Sequence, residues 1–236
     1  MPPVAPAVPP APTPVPTPPT SPFSDTDNAD FHELWGGAGY YNKQDLSAAT
    51  LAAIEGYLDP TTLSGSLYAL SQTINYKMRQ GIPLTASEQA VVDGMNDGMH
   101  NLGYNLTLTR YDRTGYLSQM LGLPTNVNPD TITAAQLSSL VGKSYTDPAL
   151  VSTSYNKFKN APAGNCFTDK AVRININAPA STQAIMPGNG PGGKLGEIVL
   201  APGQNYRITG ARVLNESSRS GATYYSHRIE VDVEVY

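Results

Sequence analysis

Apolar residues in the first half of the chain recur at the spacing of an α-helix. Two trios repeat at i, i+3 and i+7: Leu51, Ile54 and Leu58, then Leu67, Leu70 and Ile74. Two segments of the capping-box type, TASE at 85–88 and TAAQ at 133–136, each precede further apolar residues at helical spacing. Gly142 then provides a stop signal. The pattern predicts several helices between about residue 50 and residue 142.

The apolar period changes to two after about residue 145. In AVRININA, residues 171–178, the apolar residues Val172, Ile174 and Ile176 alternate with polar ones. The segments EIVLAPG, NYRITGARVL and HRIEVDVEVY have the pattern of further short strands, separated by turns rich in Gly, Pro and Asn. Short links favour antiparallel pairing, because parallel neighbours need long crossovers. Helices followed by strands predict an α+β domain rather than a doubly wound one.

The first 22 residues contain 11 prolines. A segment so rich in proline cannot pair its backbone regularly and favours the extended polyproline II conformation. We therefore expect residues 1–28 to form a disordered linker and residues 29–236 to form one domain, with the boundary in the polar segment SDTDNAD at 24–30. A ligand for a proline-binding domain is the alternative interpretation of this leader.

Composition narrows the possible function classes. The 236 residues carry a net charge of −4, with only 14% charged side chains and no basic block that would bind nucleic acid. No apolar run approaches the roughly 20 residues that a membrane-spanning helix needs. The single cysteine, Cys166, cannot form an internal disulfide, and the three histidines lack the spacing of zinc ligands. We expect no nucleic-acid binding, no membrane insertion and no bound metal.

A glycine-rich segment at 186–203, MPGNGPGGKLGEIVLAPG, contains the pattern G-x-x-x-x-G-K from Gly188 to Lys194. A phosphate-binding P-loop also needs Ser or Thr after the lysine and a helix beyond it. Leu195 occupies that position, and a strand pattern follows. The sequence therefore argues against a P-loop, and residues 179–196 are interpreted as a loop long enough to suggest a function.

The C-terminal segment EVDVEVY places Glu230, Asp232 and Glu234 on one face of a strand. Three carboxylates in a row could bind a cation or serve as an acid–base pair. We favour the simpler interpretation, in which they form the solvent-exposed face of a terminal strand and the intervening valines lie in the core.

Three separated segments carry the remaining candidate chemistry. Arg110 lies in LTLTRYDRTG, a segment with the alternation of a strand. Ser152, Thr153 and Ser154 follow an apolar run in YTDPALVSTSYN. Glu197 is the first residue of the predicted strand after the glycine-rich loop. This order resembles the mono-ADP-ribosyltransferase superfamily, in the branch marked by an arginine, an S-T-S strand and a late catalytic glutamate. INYKMRQG, FTDKAVRININAPAS and GEIVLAPGQNYRITGARV also resemble segments of that family, so the resemblance covers about residues 46–236.

The resemblance implies both a fold and a reaction. The fold would be α+β and ADP-ribosyltransferase-like, with a helical N-terminal part packed on two antiparallel sheets that flank an NAD cleft, and residues 29–236 would be the catalytic domain. NAD would be a substrate, whose ADP-ribose passes to a protein while nicotinamide leaves. A carboxylate stabilises the positive charge that builds on the ribose as the glycosidic bond breaks. Glu197 is the expected catalytic carboxylate, and Arg110 the expected partner of the pyrophosphate.

The S-T-S strand supplies the other site residues that the resemblance implies. Ser152 would hydrogen-bond the catalytic glutamate, so that Ser152 and Arg110 count as both catalytic and NAD-binding residues. Thr153 and Ser154 would shape the NAD cleft. Tyr155 is a candidate for stacking on the nicotinamide ring.

Simpler interpretations stay open beside these roles. Arg110 could belong to an ordinary structural ion pair, in which case Arg113 would be the functional arginine. The S-T-S residues and Glu197 could be ordinary strand positions. Leu195 also departs from the family pattern, since many relatives carry Glu or Gln two positions before the catalytic glutamate, where it handles the acceptor side chain. A leucine cannot orient a guanidinium or an amide. This argues against an arginine or asparagine acceptor and leaves a hydroxyl acceptor or another loop group.

The proline-rich leader resembles the tether of C-terminal toxic modules that are released from large carriers, such as Tc-toxin complexes or Rhs-type polymorphic toxins. On that resemblance we expect a monomer that is secreted through a carrier or translocation complex and modifies a protein in the cytosol of the target cell, with actin as one candidate. The alternatives are an NAD glycohydrolase, a non-enzymatic binding module with a proline-rich tether, and a transferase carried by a phage.

Overall fold

The computed structural model describes residues 46–58, 70–102, 105–121, 127–154, 170–185 and 197–236. The expected proline-rich linker at 1–28 and its boundary with the domain lie outside these residues, as do Tyr155, Cys166 and Leu195. No helix in the described ranges is long and apolar enough to cross a bilayer.

Within the described ranges, three helices precede the first strand, and two shorter ones lie farther along the chain. They are α1 Ala48–Leu58, α2 Leu70–Gln80, α3 Ala86–Asp97, α4 Thr114–Leu121 and α5 Ala134–Ser138. Leu51, Ile54 and Leu58 lie in α1, and Leu70 and Ile74 lie in α2, so both predicted helices are confirmed. Leu67 lies outside the described residues. Gly142 follows α5 with a φ of 85°, a left-handed conformation that glycine adopts without steric cost.

Both predicted capping boxes are present. At α3, Glu88 N donates to Thr85 Oγ1 at 3.3 Å, and Thr85 N donates to Glu88 Oε2 at 2.7 Å. Thr133 and Gln136 form the same reciprocal pair at the start of α5. Lys77 Nζ of α2 also donates to Glu88 Oε2 at 2.7 Å, so this carboxylate joins α2 to α3.

Acid is expected to weaken the junction between α2 and α3. Burial raises the pKa of Glu88, but hydrogen bonds from Lys77 and Thr85 outweigh it and hold the pKa below its ordinary value of 4.5. Because the folded-state pKa is the lower one, the carboxylate contributes stability above pH 4.5 and loses it as the pH falls through the folded value. The difference in unfolding free energy between the wild type and Glu88→Gln, measured in urea, should shrink between about pH 7 and about pH 3. A constant difference over this range would contradict the role given to Glu88.

The described residues form eleven strands, most of them in the second half of the chain. They are β1 His100–Asn101, β2 Leu106–Asp112, β3 Ser144–Asp147, β4 Val151–Ser154, β5 Val172–Ala178, β6 Gln183–Ile185, β7 Glu197–Leu200, β8 Gln204–Leu214, β9 Ser218–Ser220, β10 Thr223–Tyr225 and β11 Arg228–Val235. Nine of them form one hydrogen-bonded order, β1-β6-β7-β4-β2-β5-β11-β8-β3, while β9 and β10 pair separately as a hairpin.

This nine-stranded order consists of two halves that are joined at one point. One half contains β1, β6, β7 and β4, and the other contains β2, β5, β11, β8 and β3. At the junction, β2 and β4 pair only at Thr109 and Ser154, whereas β2 and β5 pair at seven positions and β11 and β8 at eight. The two halves correspond to the two sheets that the resemblance implies.

One pair of neighbouring strands departs from the antiparallel prediction. β11 runs parallel to β5, with Val231 opposite Ile174, while the other neighbours in the nine-stranded order are antiparallel. The strands β6 to β10 lie between β5 and β11 in the chain and supply the crossover that a parallel pair needs. Short links predict how consecutive strands pair, but not how strands distant in sequence pair.

A large hydrophobic cluster is shared by the two halves of the sheet. It contains Leu108, Ile174 and Val233 of the five-stranded half together with Val151 and Ile198 of the four-stranded half. The halves are therefore held together by a common core as well as by their single backbone pairing.

The helices α1 and α3 pack on the other face of the four-stranded half. A smaller cluster lies there: Ala53, Ile54, Tyr57, Met95, Leu150, Ile185 and Val199. Val199 belongs to this cluster while its neighbours on either side belong to the large one, so β7 is buried on both faces. The two helices approach closely, because a Cβ at Gly94 of α3 would lie 2.6 Å from the Cβ of Ala53 in α1.

Candidate active site

The strand β4 carries the S-T-S residues between β7 and β2. Its register with β7 places Ser154 opposite Glu197, the first residue of β7. Thr153 lies opposite Ile198 and donates its Oγ1 hydrogen to the Ile198 carbonyl at 2.7 Å. Thr153 and Ser154 are buried, and Ser152 is half-buried. The S-T-S strand and the residue expected to be the catalytic glutamate are thus direct neighbours in the sheet.

Ser152 and Ser154 occupy the face of β4 that α1 and α3 cover. Alternate residues of a strand share one face, and Val199, which pairs with Ser152, belongs to the cluster formed with these helices. Residues in register on antiparallel strands also belong to the same face. The same register places the backbone of Glu197 directly opposite Ser154.

Arg110 reaches the S-T-S strand from the other half of the sheet. Its Nη1 donates to the Ser152 carbonyl at 2.9 Å, while Nε and Nη2 donate to Asp112 Oδ2 at 3.0 and 2.7 Å. The side chains of Arg110 and Asp112 are 16% and 21% exposed, so the ion pair lies near the surface. The structure therefore brings Arg110 and Ser152 together and adds Asp112 as the partner of the arginine.

Asp112 is a residue that sequence reasoning did not identify, although a signal was available. Residues i and i+2 of a strand share a face, and Arg110 and Asp112 carry opposite charges at that spacing. Arg113, the alternative functional arginine, is exposed just beyond the end of β2, and its backbone N–H donates to Asp112 Oδ1 at 2.8 Å.

Tyr57 and Asn75 form a second polar contact with the S-T-S strand, also not identified from the sequence. The Tyr57 hydroxyl lies 3.3 Å from Ser152 Oγ, and Asn75 Nδ2 donates to the Tyr57 hydroxyl at 2.9 Å. Tyr57 is 1% exposed and Asn75 8%. Both lie on helices next to apolar residues, and no sequence motif distinguishes them from residues that only pack in the core.

A fork of hydrogen bonds joins the end of α2 to the segment that leads into β4. Arg79 Nε donates to Asp147 Oδ1 at 3.0 Å, and Arg79 Nη2 donates to Oδ2 at 2.9 Å. Asp147, only 3% exposed, also accepts a hydrogen bond from Ala149 N at 3.0 Å. The ion pair thus fixes the approach of the chain to the S-T-S strand.

Tyr206 lies within electrostatic reach of both arginine pairs. Its ring stacks on Tyr145 with centroids 5.0 Å apart, and its buried hydroxyl has no hydrogen-bond partner in the described part of the chain. Burial raises the pKa of Tyr206 far above its usual value, and the charge of Asp147 raises it further, against the opposing effect of Arg110 and Arg79. The Tyr206 phenol therefore stays neutral.

The carboxylates of EVDVEVY pair with arginines. Arg173 and Arg212 both pair with Glu230, and Arg212 also reaches Asp232 at 2.6 Å. Glu230 is buried, which corrects the expectation of a solvent-exposed position, because two guanidinium groups cover it. The three intervening valines lie in the large cluster, as predicted. Within the described ranges, no three His, Cys, Asp or Glu side chains are grouped as a metal site would need.

Comparison with known proteins rests on structure. No protein-family model matches the chain, and no curated protein matches its sequence. Plx2a, an ADP-ribosyltransferase toxin from Paenibacillus larvae, is similar with a TM-score of 0.62 at 17% identity, over 88% of this chain and 96% of that one. The C3 exoenzyme of Clostridium limosum is similar with a TM-score of 0.60 at 17% identity, over 89% and 95%.

A third similar structure is C3stau2 from S. aureus, solved with NAD. It gives a TM-score of 0.56 at 14% identity over 81% of this chain and 88% of that one. The chain therefore has the fold of ADP-ribosyltransferase toxins, and the predicted α+β architecture is confirmed.

Proposed function

We propose that this chain transfers ADP-ribose from NAD to a protein and releases nicotinamide. The observation that carries the proposal is that Arg110 contacts Ser152 while Ser154 pairs with Glu197, in a fold shared with ADP-ribosyltransferase toxins. Residues far apart in the sequence thus meet on the adjacent strands β2, β4 and β7. C3stau2, which has this fold, was solved with NAD, and this supports NAD as the substrate here.

Glu197 is assigned the stabilisation of charge on the ribose. When the bond between C1′ and the nicotinamide nitrogen breaks, its electron pair leaves with nicotinamide, and positive charge spreads over C1′ and the ring oxygen. A carboxylate already fixed beside the sugar lowers the barrier, because it need not reorganise as the charge develops. The acceptor oxygen then bonds to C1′ and gives up its proton to the surrounding water.

Arg110 is assigned the pyrophosphate of NAD. A guanidinium is a planar fork of donors that matches phosphate oxygens two at a time. Asp112 and the Ser152 carbonyl fix the plane of this guanidinium. Binding therefore loses less side-chain entropy than it would with a free arginine.

The S-T-S strand is assigned the support of Glu197 and the lining of the cleft. The Ser152 hydroxyl would hydrogen-bond the Glu197 carboxylate, and Thr153 would hold β4 to β7 through its bond to the Ile198 carbonyl. Ser154 would shape the cleft opposite Glu197. Tyr155, the next residue in the chain, would stack on the nicotinamide ring.

The acceptor is proposed to be a hydroxyl side chain of a protein. Leu195 stands two residues before Glu197, and its side chain cannot orient a guanidinium or an amide. The neighbours in structure are toxins, so we propose a secreted monomer that reaches the cytosol of a target cell through a carrier complex, with actin as one candidate target. The proline-rich leader at 1–28 would serve as the linker to that carrier, and residues 29–236 as the catalytic domain.

An NAD glycohydrolase is the second candidate, and Leu195 is the observation that favours it. A site without a polar group to hold the acceptor allows water to compete for C1′ of the ribose. Water would then take the place of the protein side chain, with nicotinamide leaving as before.

The test uses NAD labelled either on the adenylate phosphate or on the nicotinamide ring, incubated with the protein in eukaryotic and bacterial lysates. We expect a discrete protein band that keeps the adenylate label, together with an equal amount of released nicotinamide. Release of nicotinamide without a labelled protein would identify a glycohydrolase instead. If neither product forms in any lysate, both NAD reactions are excluded and the non-enzymatic binding module is left.

A further inference from the structure

We propose that Tyr57 is a positioning residue that donates a hydrogen bond to Ser152 and thereby directs the Ser152 hydroxyl hydrogen toward Glu197. This inference rests on the proposed function, because it assigns a task to the support of the same glutamate. Tyr57 belongs to α1 and touches the S-T-S strand from the helix side, with its hydroxyl 3.3 Å from Ser152 Oγ.

The donor properties of Asn75 set the direction of this contact. An amide nitrogen donates and cannot accept, so the bond of 2.9 Å from Asn75 Nδ2 is accepted by the Tyr57 oxygen. The Tyr57 hydroxyl hydrogen therefore does not point to Asn75, and we assign it to the 3.3 Å contact with Ser152 Oγ, in which either oxygen has the geometry to donate. The chain of hydrogen bonds then runs from Asn75 through Tyr57 to Ser152.

Packing holds the tyrosine in one place. Tyr57 is 1% exposed and belongs to the cluster that joins α1 and α3 to the sheet. The close approach of Gly94 to Ala53 leaves α1 little room to shift against α3. Tyr57 therefore presents its hydroxyl from a rigid element, as a group that orients a site must.

A hydrogen bond from Tyr57 to Ser152 leaves the single hydroxyl hydrogen of Ser152 available for another acceptor. A serine hydroxyl has one hydrogen and accepts through its lone pairs. If Ser152 Oγ accepts from Tyr57, its own hydrogen is left for another acceptor, and Ser152 lies two residues from Ser154, whose backbone is in register with that of Glu197. A hydrogen bond from Ser152 would then hold the glutamate in the orientation that stabilises the ribose charge.

The test is Tyr57→Phe, which keeps the ring and removes only the hydroxyl. We expect kcat for nicotinamide release to fall about tenfold, with the KM for NAD changed less than about twofold, because the lost group touches Ser152 rather than NAD. Ser152→Ala should also lower kcat. In the Ser152→Ala background, Tyr57→Phe should have no further effect, since the hydroxyl that Tyr57 orients is gone.

Tyr224→Phe is the control. It makes the same chemical change on β10, in the hairpin that pairs apart from the nine-stranded order, at a side chain that is 75% exposed. Its kcat should equal that of the wild type. Thermal unfolding of each variant shows whether the fold is kept.

Three results would overturn the inference: an unchanged kcat in Tyr57→Phe, a loss confined to KM, or effects of Tyr57→Phe and Ser152→Ala that multiply. A wild-type protein that releases no nicotinamide would refute the proposed function, and this inference with it. That outcome is distinct from an active wild type in which Tyr57→Phe has no effect.

Discussion

Replacing Glu197 by glutamine is expected to lower kcat for nicotinamide release by at least about a hundredfold. Glutamine keeps the size of the side chain and most of its hydrogen-bonding capacity, but it carries no charge to stabilise the developing cation on the ribose. Since that charge exists only near the transition state, the KM for NAD should change little. Initial rates of nicotinamide release at several NAD concentrations measure both constants.

Glu234→Gln is the matched control for this experiment. Glu234 lies on β11, separated from β4 by β5 and β2 in the strand order, and is 33% exposed beside Arg207. The same loss of one carboxylate charge there should leave kcat at the wild-type value. A Glu197→Gln variant that is folded and retains more than about a tenth of the wild-type kcat would show that another group performs the task assigned to Glu197.

Asp147→Asn is expected to cost about 3 kcal/mol of unfolding free energy, because removal of one partner of a buried ion pair leaves the other charge uncompensated. Arg79 and Asp147 have side chains that are 15% and 2% exposed, and the two bonds of the fork run from α2 to the end of β3. Asparagine keeps an oxygen that can accept from Ala149 N, so the loss reports mainly on the charge. Urea unfolding followed by circular dichroism measures it.

The control variant for stability is again Glu234→Gln. Its partner Arg207 is 55% exposed, and a surface ion pair of this kind contributes about 1 kcal/mol or less. If Asp147→Asn destabilised the protein no more than Glu234→Gln does, the Arg79–Asp147 pair would not be what fixes the approach to β4.

Local pattern was enough to predict most of the elements and their order. Helix starts at Thr85 and Thr133 follow from capping boxes, which depend only on residues close in sequence. Strands such as β5 follow from alternation, because one of their faces is buried. The parallel pairing of β11 with β5 depends on where the whole chain returns to the sheet, and no local pattern specifies this.

The candidate site was predictable where a motif marks it and was missed where packing decides it. The contact of Arg110 with the S-T-S strand agrees with the order of motifs that the resemblance supplied. Tyr57 and Asn75 look like ordinary members of helix faces. Their link to Ser152 requires knowing how α1 lies over β4 and how α2 lies against α1. Alternation alone predicted that Glu230 is exposed. The prediction was wrong because arginines from two neighbouring strands cover this carboxylate, and alternation within one strand does not show which side chains the neighbouring strands contribute.

The single pairing between β2 and β4 also has a mechanical meaning. Twisting one half of the sheet against the other would disturb one residue pair and the bond from Arg110 to the Ser152 carbonyl. Bending within the five-stranded half would break ladders of four to eight pairs. The most compliant deformation of the sheet is therefore the one that changes the spacing between Arg110 on one half and Glu197 on the other.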